Sequence, residues 1–208
     1  MKPSDYTSKK KIIAEIAGHD FIYTDENKAM LNKMFHYFNC NVSECDNLGL
    51  NLNKGIALLG EYGCGKTMLF RLMHKYLAIT ADTRVNSFKI VSLEDVLKCA
   101  GDTNFIDSVY CYNITENEHG VKVRNPIHLL VNEFGARYNI KVFGTDVNEL
   151  LEMFWMKRYE IYTDYNKLTH ITANIDLQDI FKNHSPKVVD RFKEMFQFEK
   201  LAGKSFRK

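Results

Sequence analysis

Residues 60–67 read GEYGCGKT and fit the pattern G-x-x-x-x-G-K-[ST] through Gly60, Gly65, Lys66 and Thr67. The residue types suit polyphosphate chemistry. Glycines let the backbone curl until successive N–H groups point inward at phosphate oxygens. Lys66 carries positive charge to the β- and γ-phosphates, and the Thr67 hydroxyl is a ligand for Mg²⁺. The pattern follows the apolar run IALL and precedes MLFRLMHKYL, which has a helical apolar face. A helix starting there aims its N-terminal dipole at the same anion. Phosphate binding is therefore expected along the whole turn: Gly60, Glu61, Tyr62, Gly63, Cys64, Gly65, Lys66, Thr67 and Met68.

A second constellation lies in HLLVNEF, residues 128–134, an apolar strand ending in Asn132 and Glu133. In many phosphate-loop ATPases an aspartate at the first position holds Mg²⁺ and a glutamate at the second polarises the attacking water. Glu133 is the expected water activator. Asn132 keeps a carbonyl acceptor without the charge, which weakens a magnesium site because hard cations favour carboxylates. Thr67 and Asn132 are accordingly the expected magnesium-side residues, acting through phosphates and water.

A third candidate is Asn174, at the end of LTHITANI. Ligands of open α/β sheets bind beyond the carboxyl ends of the strands, where an asparagine can orient water. Residues 187–208 are basic, with Lys187, Arg191, Lys193, Lys200, Lys204, Arg207 and Lys208 against Asp190, Glu194 and Glu199. A solvated face, a phosphate sensor, a finger reaching a neighbouring subunit and a nucleic-acid contact all fit that run.

These residues need elements to position them. Spacing near 3.6 predicts a helix over 26–39, and the Asn, Asp, Ser and Gly content of 40–53 reads as a loop. Strands are expected at Lys54–Leu59, Phe88–Ser92, His128–Phe134, Leu168–Asn174 and Phe196–Leu201. Helices are expected over about 66–79, from Leu93, at Val147–Glu160 and from Pro186. Residues 101–127 fit neither period, apart from a turn at TENEHG. Buried strands separated by helices predict an α/β fold with a mostly parallel five-stranded sheet in a three-layer sandwich. Residues 1–25 read as an N-terminal arm and 26–208 as the core.

Composition is that of a globular chain: 208 residues, 45% hydrophobic, 26% charged, net charge +2. That charge is too small to announce a nucleic-acid partner through bulk electrostatics, so any basic surface is local. Five cysteines, with no apolar leader after MKPSDYTSKKK, predict a reducing, cytoplasmic setting. No apolar run approaches the length of a membrane span.

Taken in order, the motifs resemble the AAA+ ATPases of the DnaC/IstB group, bacterial and phage helicase loaders and transposition helpers. KGIALLGEYGCGKT, LLVNEFG, Phe143-Gly144, Arg158-Tyr159, THITANI, VVDRF and the terminal GKSFR carry the resemblance from about residue 20 onward. It implies an AAA+ type P-loop core with little or no separate lid domain. It also implies an ATPase using ATP and Mg²⁺, with Asn174 as first sensor, Arg191 as the finger acting on a neighbour's ATP, and Arg207 as second sensor. The implied partners are a replicative helicase or a transposase, single-stranded DNA, and further copies of the chain. The implied role is loading or remodelling a helicase in DNA replication. Transposition help and a weakly hydrolysing ATP-dependent switch are the other readings. The chain departs from the group at Asn132, at Asp190 where serine is typical, and in the short segment before its core.

Overall fold

The computed structural model describes residues 11–18, 23–80, 87–98, 111–134, 141–142, 145–174, 176–203 and 205. They divide into two compact units, one comprising Asn53–Gly60 and Phe88–Lys200, the other the remainder.

The first unit is built on a five-stranded sheet. Its strands are β1 (Gly55–Leu59), β2 (Phe88–Ser92), β5 (His128–Phe134), β8 (Thr169–Ala173) and β9 (Phe196–Lys200), in the spatial order β2-β5-β8-β1-β9. Every neighbouring pair is parallel. β8 is buried at all five positions, as a central parallel strand covered on both faces must be. β1 and β8 approach so closely that a Cβ on Gly55 would overlap the Thr169 carbonyl oxygen. Helices α5 (Leu93–Lys98), α6 (Val147–Tyr165), α7 (Leu177–Lys182) and α8 (Pro186–Met195) complete the unit. Their apolar faces meet around Trp155, whose ring lies 5.0 Å edge-on from each of Phe134, Phe154 and Phe192.

Two details here correct the sequence reading. Helix α6 runs to Tyr165 rather than Glu160, because Ile161 and Tyr162 continue its apolar spacing. It stops where Asn166 takes a left-handed conformation (φ +51) and donates its N–H to the Tyr162 carbonyl. The illegible stretch before β5 contains an antiparallel hairpin, β3 (Tyr112–Glu116) and β4 (Lys122–Pro126), which among the described residues pair only with each other. Its positions are almost all exposed, so no burial pattern marks it. Two short strands, β6 (Lys141–Val142) and β7 (Thr145–Asp146), precede α6.

The second unit is helical: residues 11–17 (α1), α2 (Asp25–Phe38), α3 (Val42–Asn47) and α4 (Lys66–Thr80). Thr24 and Asn27 start α2 with a reciprocal capping box. Phe35 and Phe38 pack on Tyr76 and Phe70 of α4, with ring centroids 5.8 and 6.3 Å apart, and the Tyr76 hydroxyl donates to Asn39 Oδ1 at 2.8 Å. Residues 40–53 are not all loop. The polar residues that suggested one include the Asn41 cap of α3, whose side chain accepts from the Glu44 N–H. Within the N-terminal arm, Ile13 and Ala17 on α1 are buried.

Candidate nucleotide site

β1, β8 and β5 are parallel neighbours, so their C-terminal ends share one edge of the sheet: Gly60 just after β1, Asn174 just after β8, and the Asn132-Glu133 pair near the end of β5. The Gly60 N–H donates to the Ala173 carbonyl at 3.2 Å, fixing the exit of β1 beside that of β8. From Gly60 the chain enters the glycine loop, and α4 begins at Lys66.

The loop backbone runs through successive turns. Gly63 (φ +77) and Gly65 (φ +98) occupy conformations that L side chains rarely adopt. Lys66, only 5% exposed, turns its ammonium back into the loop, donating to the Glu61 carbonyl at 2.6 Å and to Cys64 Sγ at 3.7 Å. Cys64 is buried and walls the loop, whereas Tyr62 and Met68 are exposed beside it. Thr67, half-buried, stands in the first turn of α4. The first N–H groups of a helix have no partners within it and suit an anion.

Within the sheet unit, β5 breaks its register between Val131 and Phe134. Glu133 sits in that irregularity with φ +60, exposed, while Asn132 is half-buried opposite Ser92 of β2. A non-glycine residue in this region costs of order 1 kcal/mol and persists where its surroundings over-determine it. Here Thr172 of β8 does so. Its hydroxyl donates to Asn132 Oδ1 at 2.7 Å and accepts the Glu133 N–H at 3.1 Å. Thr172 was missed in the sequence. Its only signal is the threonine alternation in THITA, which says nothing about a partner forty positions away.

Asn174 is half-buried just past β8. Arg191 lies on α8, which starts with Pro186 after Ser185, whose N–H donates to Glu152 Oε1 at 2.6 Å. Its guanidinium packs over the Tyr159 ring, 4.1 Å from the centroid, and lies 3.9 Å from the Glu194 carboxylate. The Tyr159 hydroxyl also donates to Glu194, at 2.6 Å, so the three side chains form one cluster. Arg207 and Phe143-Gly144 lie outside the described residues. Among the described residues no cluster of three His, Cys, Asp or Glu side chains suits a metal, and no helix is long and apolar enough to cross a membrane.

No family model matches the chain, and no curated protein matches it in sequence. Solved structures do match its fold. DnaI superposes with a TM-score of 0.57 at 16% identity, over 95% of this chain and 93% of DnaI. A protein of Streptococcus pyogenes serotype M3, described as a proposed primosome component, gives 0.51 at 16% identity, over 99% of this chain and 84% of its own. AMPPCP-bound DnaA from Aquifex aeolicus gives 0.52 at 16% identity, over 87% of this chain and 48% of DnaA. At these identities the likeness is one of fold, and it agrees with the all-parallel sheet and its strand order: the chain has an α/β P-loop fold like that of DnaI and DnaA.

Proposed function

We propose that the chain is a slow ATPase that binds ATP through Gly60–Met68 and assists DNA replication by loading or remodelling a helicase on single-stranded DNA. The observation that carries the reading is the formed glycine loop, with the Lys66 ammonium held inside it by the Glu61 carbonyl at 2.6 Å. A loop already curled needs little reorganisation to accept phosphates, so little binding energy is lost to ordering it. DnaA offers a parallel, since it was solved with the nucleotide analogue AMPPCP.

In this reading Lys66 and the loop N–H groups neutralise the β- and γ-phosphates. Glu133 orients and polarises the attacking water, and Asn174 helps to place it. Arg191 and Arg207 supply positive charge to the γ-phosphate, Arg191 to that of a neighbouring copy, which makes the active form an oligomer. Leaving the Tyr159–Glu194 cluster is then part of assembly for Arg191. The donors present fit a magnesium ion held chiefly by phosphates. Thr67 supplies a hydroxyl, but Asn132 offers a neutral amide whose oxygen already accepts from Thr172 at 2.7 Å. When bound, the ion neutralises the β- and γ-oxygens. Residues 26–208 form the ATPase core in this reading, with 1–25 as an arm.

The Thr172–Asn132 bond also favours a second reading, an ATP-dependent binding switch with negligible turnover that docks a helicase or transposase. Phosphate release measured with Mg²⁺ and single-stranded DNA separates the two. The ATPase reading expects slow turnover, lost in Lys66→Ala and Glu133→Gln and raised at least tenfold in Asn132→Asp. A wild type without turnover that Asn132→Asp switches on establishes the switch. A wild type that binds no nucleotide removes both.

A further inference from the structure

The end of the chain returns to the glycine loop. Leu201 is 2% exposed, which anchors the tail. Gly203 (φ +145) then passes beside Cys64, where a Cβ on it would meet Cys64 Cβ at the ordinary contact distance of 3.9 Å. Ser205 sits directly on Gly63. A Cβ on Gly63 would overlap Ser205 Oγ and lie 3.0 Å from Ser205 Cβ and 3.3 Å from its Cα. The contact therefore involves the backbone of the tail as well as its side chain, and Gly63 is needed there for space as well as for its φ of +77.

We infer that Ser205 is a positioning residue of the phosphate loop: the strap formed by Leu201–Gly203 and Ser205 holds Gly63 and Cys64 in the phosphate-binding conformation. The inference rests on the nucleotide reading above and deepens it. Glycine populates more backbone states than any other residue, so a loop with glycines at 60, 63 and 65 loses much entropy when it curls around phosphates. A strap seated on the middle glycine removes part of that freedom before the ligand arrives, which raises affinity by preorganisation. Such a strap acts on the loop and not on any one phosphate. It therefore supports ATP and ADP alike, unlike an arginine directed at the γ-phosphate.

The test is the affinity of the full chain for fluorescent ATP and ADP analogues, together with the thermal midpoint without nucleotide. Ser205→Leu is expected to weaken both nucleotides by about tenfold with the midpoint unchanged, whereas Arg207→Ala weakens ATP alone. Gly63→Ala is expected to weaken both as well, and Ser205→Gly in that background restores part of the loss by making room for the new methyl. Wild-type affinity for both nucleotides in Ser205→Leu overturns the inference. So does strict additivity of Gly63→Ala and Ser205→Gly, which also decides the matter if Ser205→Leu does not fold. A wild type that binds neither nucleotide overturns the underlying nucleotide reading instead, so the two failures are distinguishable.

Discussion

Glu133 combines an exposed carboxylate with a backbone conformation that costs free energy, and Thr172 holds both it and Asn132 from the neighbouring strand. Strain at a single residue beside an otherwise regular strand is the usual mark of a position kept for what its side chain does. That gives a test with two readouts of opposite sign. Glu133→Gly relieves the left-handed backbone and is expected to raise unfolding free energy by about 0.5–1 kcal/mol, although glycine's own entropy offsets part of the gain. The same variant is expected to lose nucleotide turnover while still binding ATP. Urea unfolding and phosphate release measure the two, and a less stable variant would mean that the side chain, not the backbone, is what holds the turn. At this scale the candidate residues come from short patterns in the sequence. GEYGCGKT and the Asn132-Glu133 pair are local patterns, with every informative neighbour within a few positions. Thr172 and Ser205 were not legible in this way, because each acts on residues far away in sequence, and distance in sequence hides such pairing.

The same division holds for elements. Strands buried along nearly their whole length, such as those containing IALL and THITA, were located to within a residue or two, because burial dictates their composition. α3 escaped because its polar residues serve as a cap and a solvated face, leaving only Cys45 buried. The β3–β4 hairpin escaped because neither face is covered. Gly55 carries a constraint that composition conceals. It looks like an ordinary first residue of a strand, yet the Thr169 carbonyl occupies the place of its missing side chain. Backbone cannot swing aside as a side chain can, so Gly55→Ala must separate β1 from β8. The expected cost is at the upper end of overpacking, about 3 kcal/mol. It is read as a lower urea midpoint, with nucleotide affinity falling in step because β1 delivers Gly60 to the loop. A midpoint within experimental error of wild type would show that the two strands can part without cost.

Across the sheet unit as a whole, stability is tied to acidity by three imidazoles, His170 and His184 buried and His128 half-buried. His128 Nδ1 accepts the Leu168 N–H at 2.9 Å, and His170 Nδ1 accepts the Ile56 N–H at 3.0 Å, so each must be neutral at that nitrogen. Burial pushes His170 down to about 3, helped by His128 and Arg158. It pushes His128 down to about 4, helped by Lys167 and Arg158. His184, stacked on Phe134 with centroids 5.7 Å apart, is pushed by burial to about 4 against the opposing pull of Glu152. Arg158 deepens the effect, being fully buried and bonded to Thr169 Oγ1 and the Ile127 and Leu168 carbonyls with no carboxylate among them. The sign follows from where protons bind. Above the ordinary histidine range, near pH 6.5, neither the folded nor the unfolded chain is protonated at these sites, and their contribution to stability is complete. Below it the unfolded chain takes up protons that the folded chain refuses, so stability falls with pH until the folded values near 4 and 3 are reached. At 1.36 kcal/mol per pKa unit, each histidine withdraws at most roughly 2 kcal/mol between pH 6.5 and 5. Urea midpoints measured from pH 7.5 to 5 should therefore drop steeply below pH 6.5. His170→Gln should lower the midpoint at pH 7.5, by disturbing the bond from Ile56, yet make the descent below pH 6.5 shallower. A descent of wild-type steepness in that variant would place the acid sensitivity on groups other than His170.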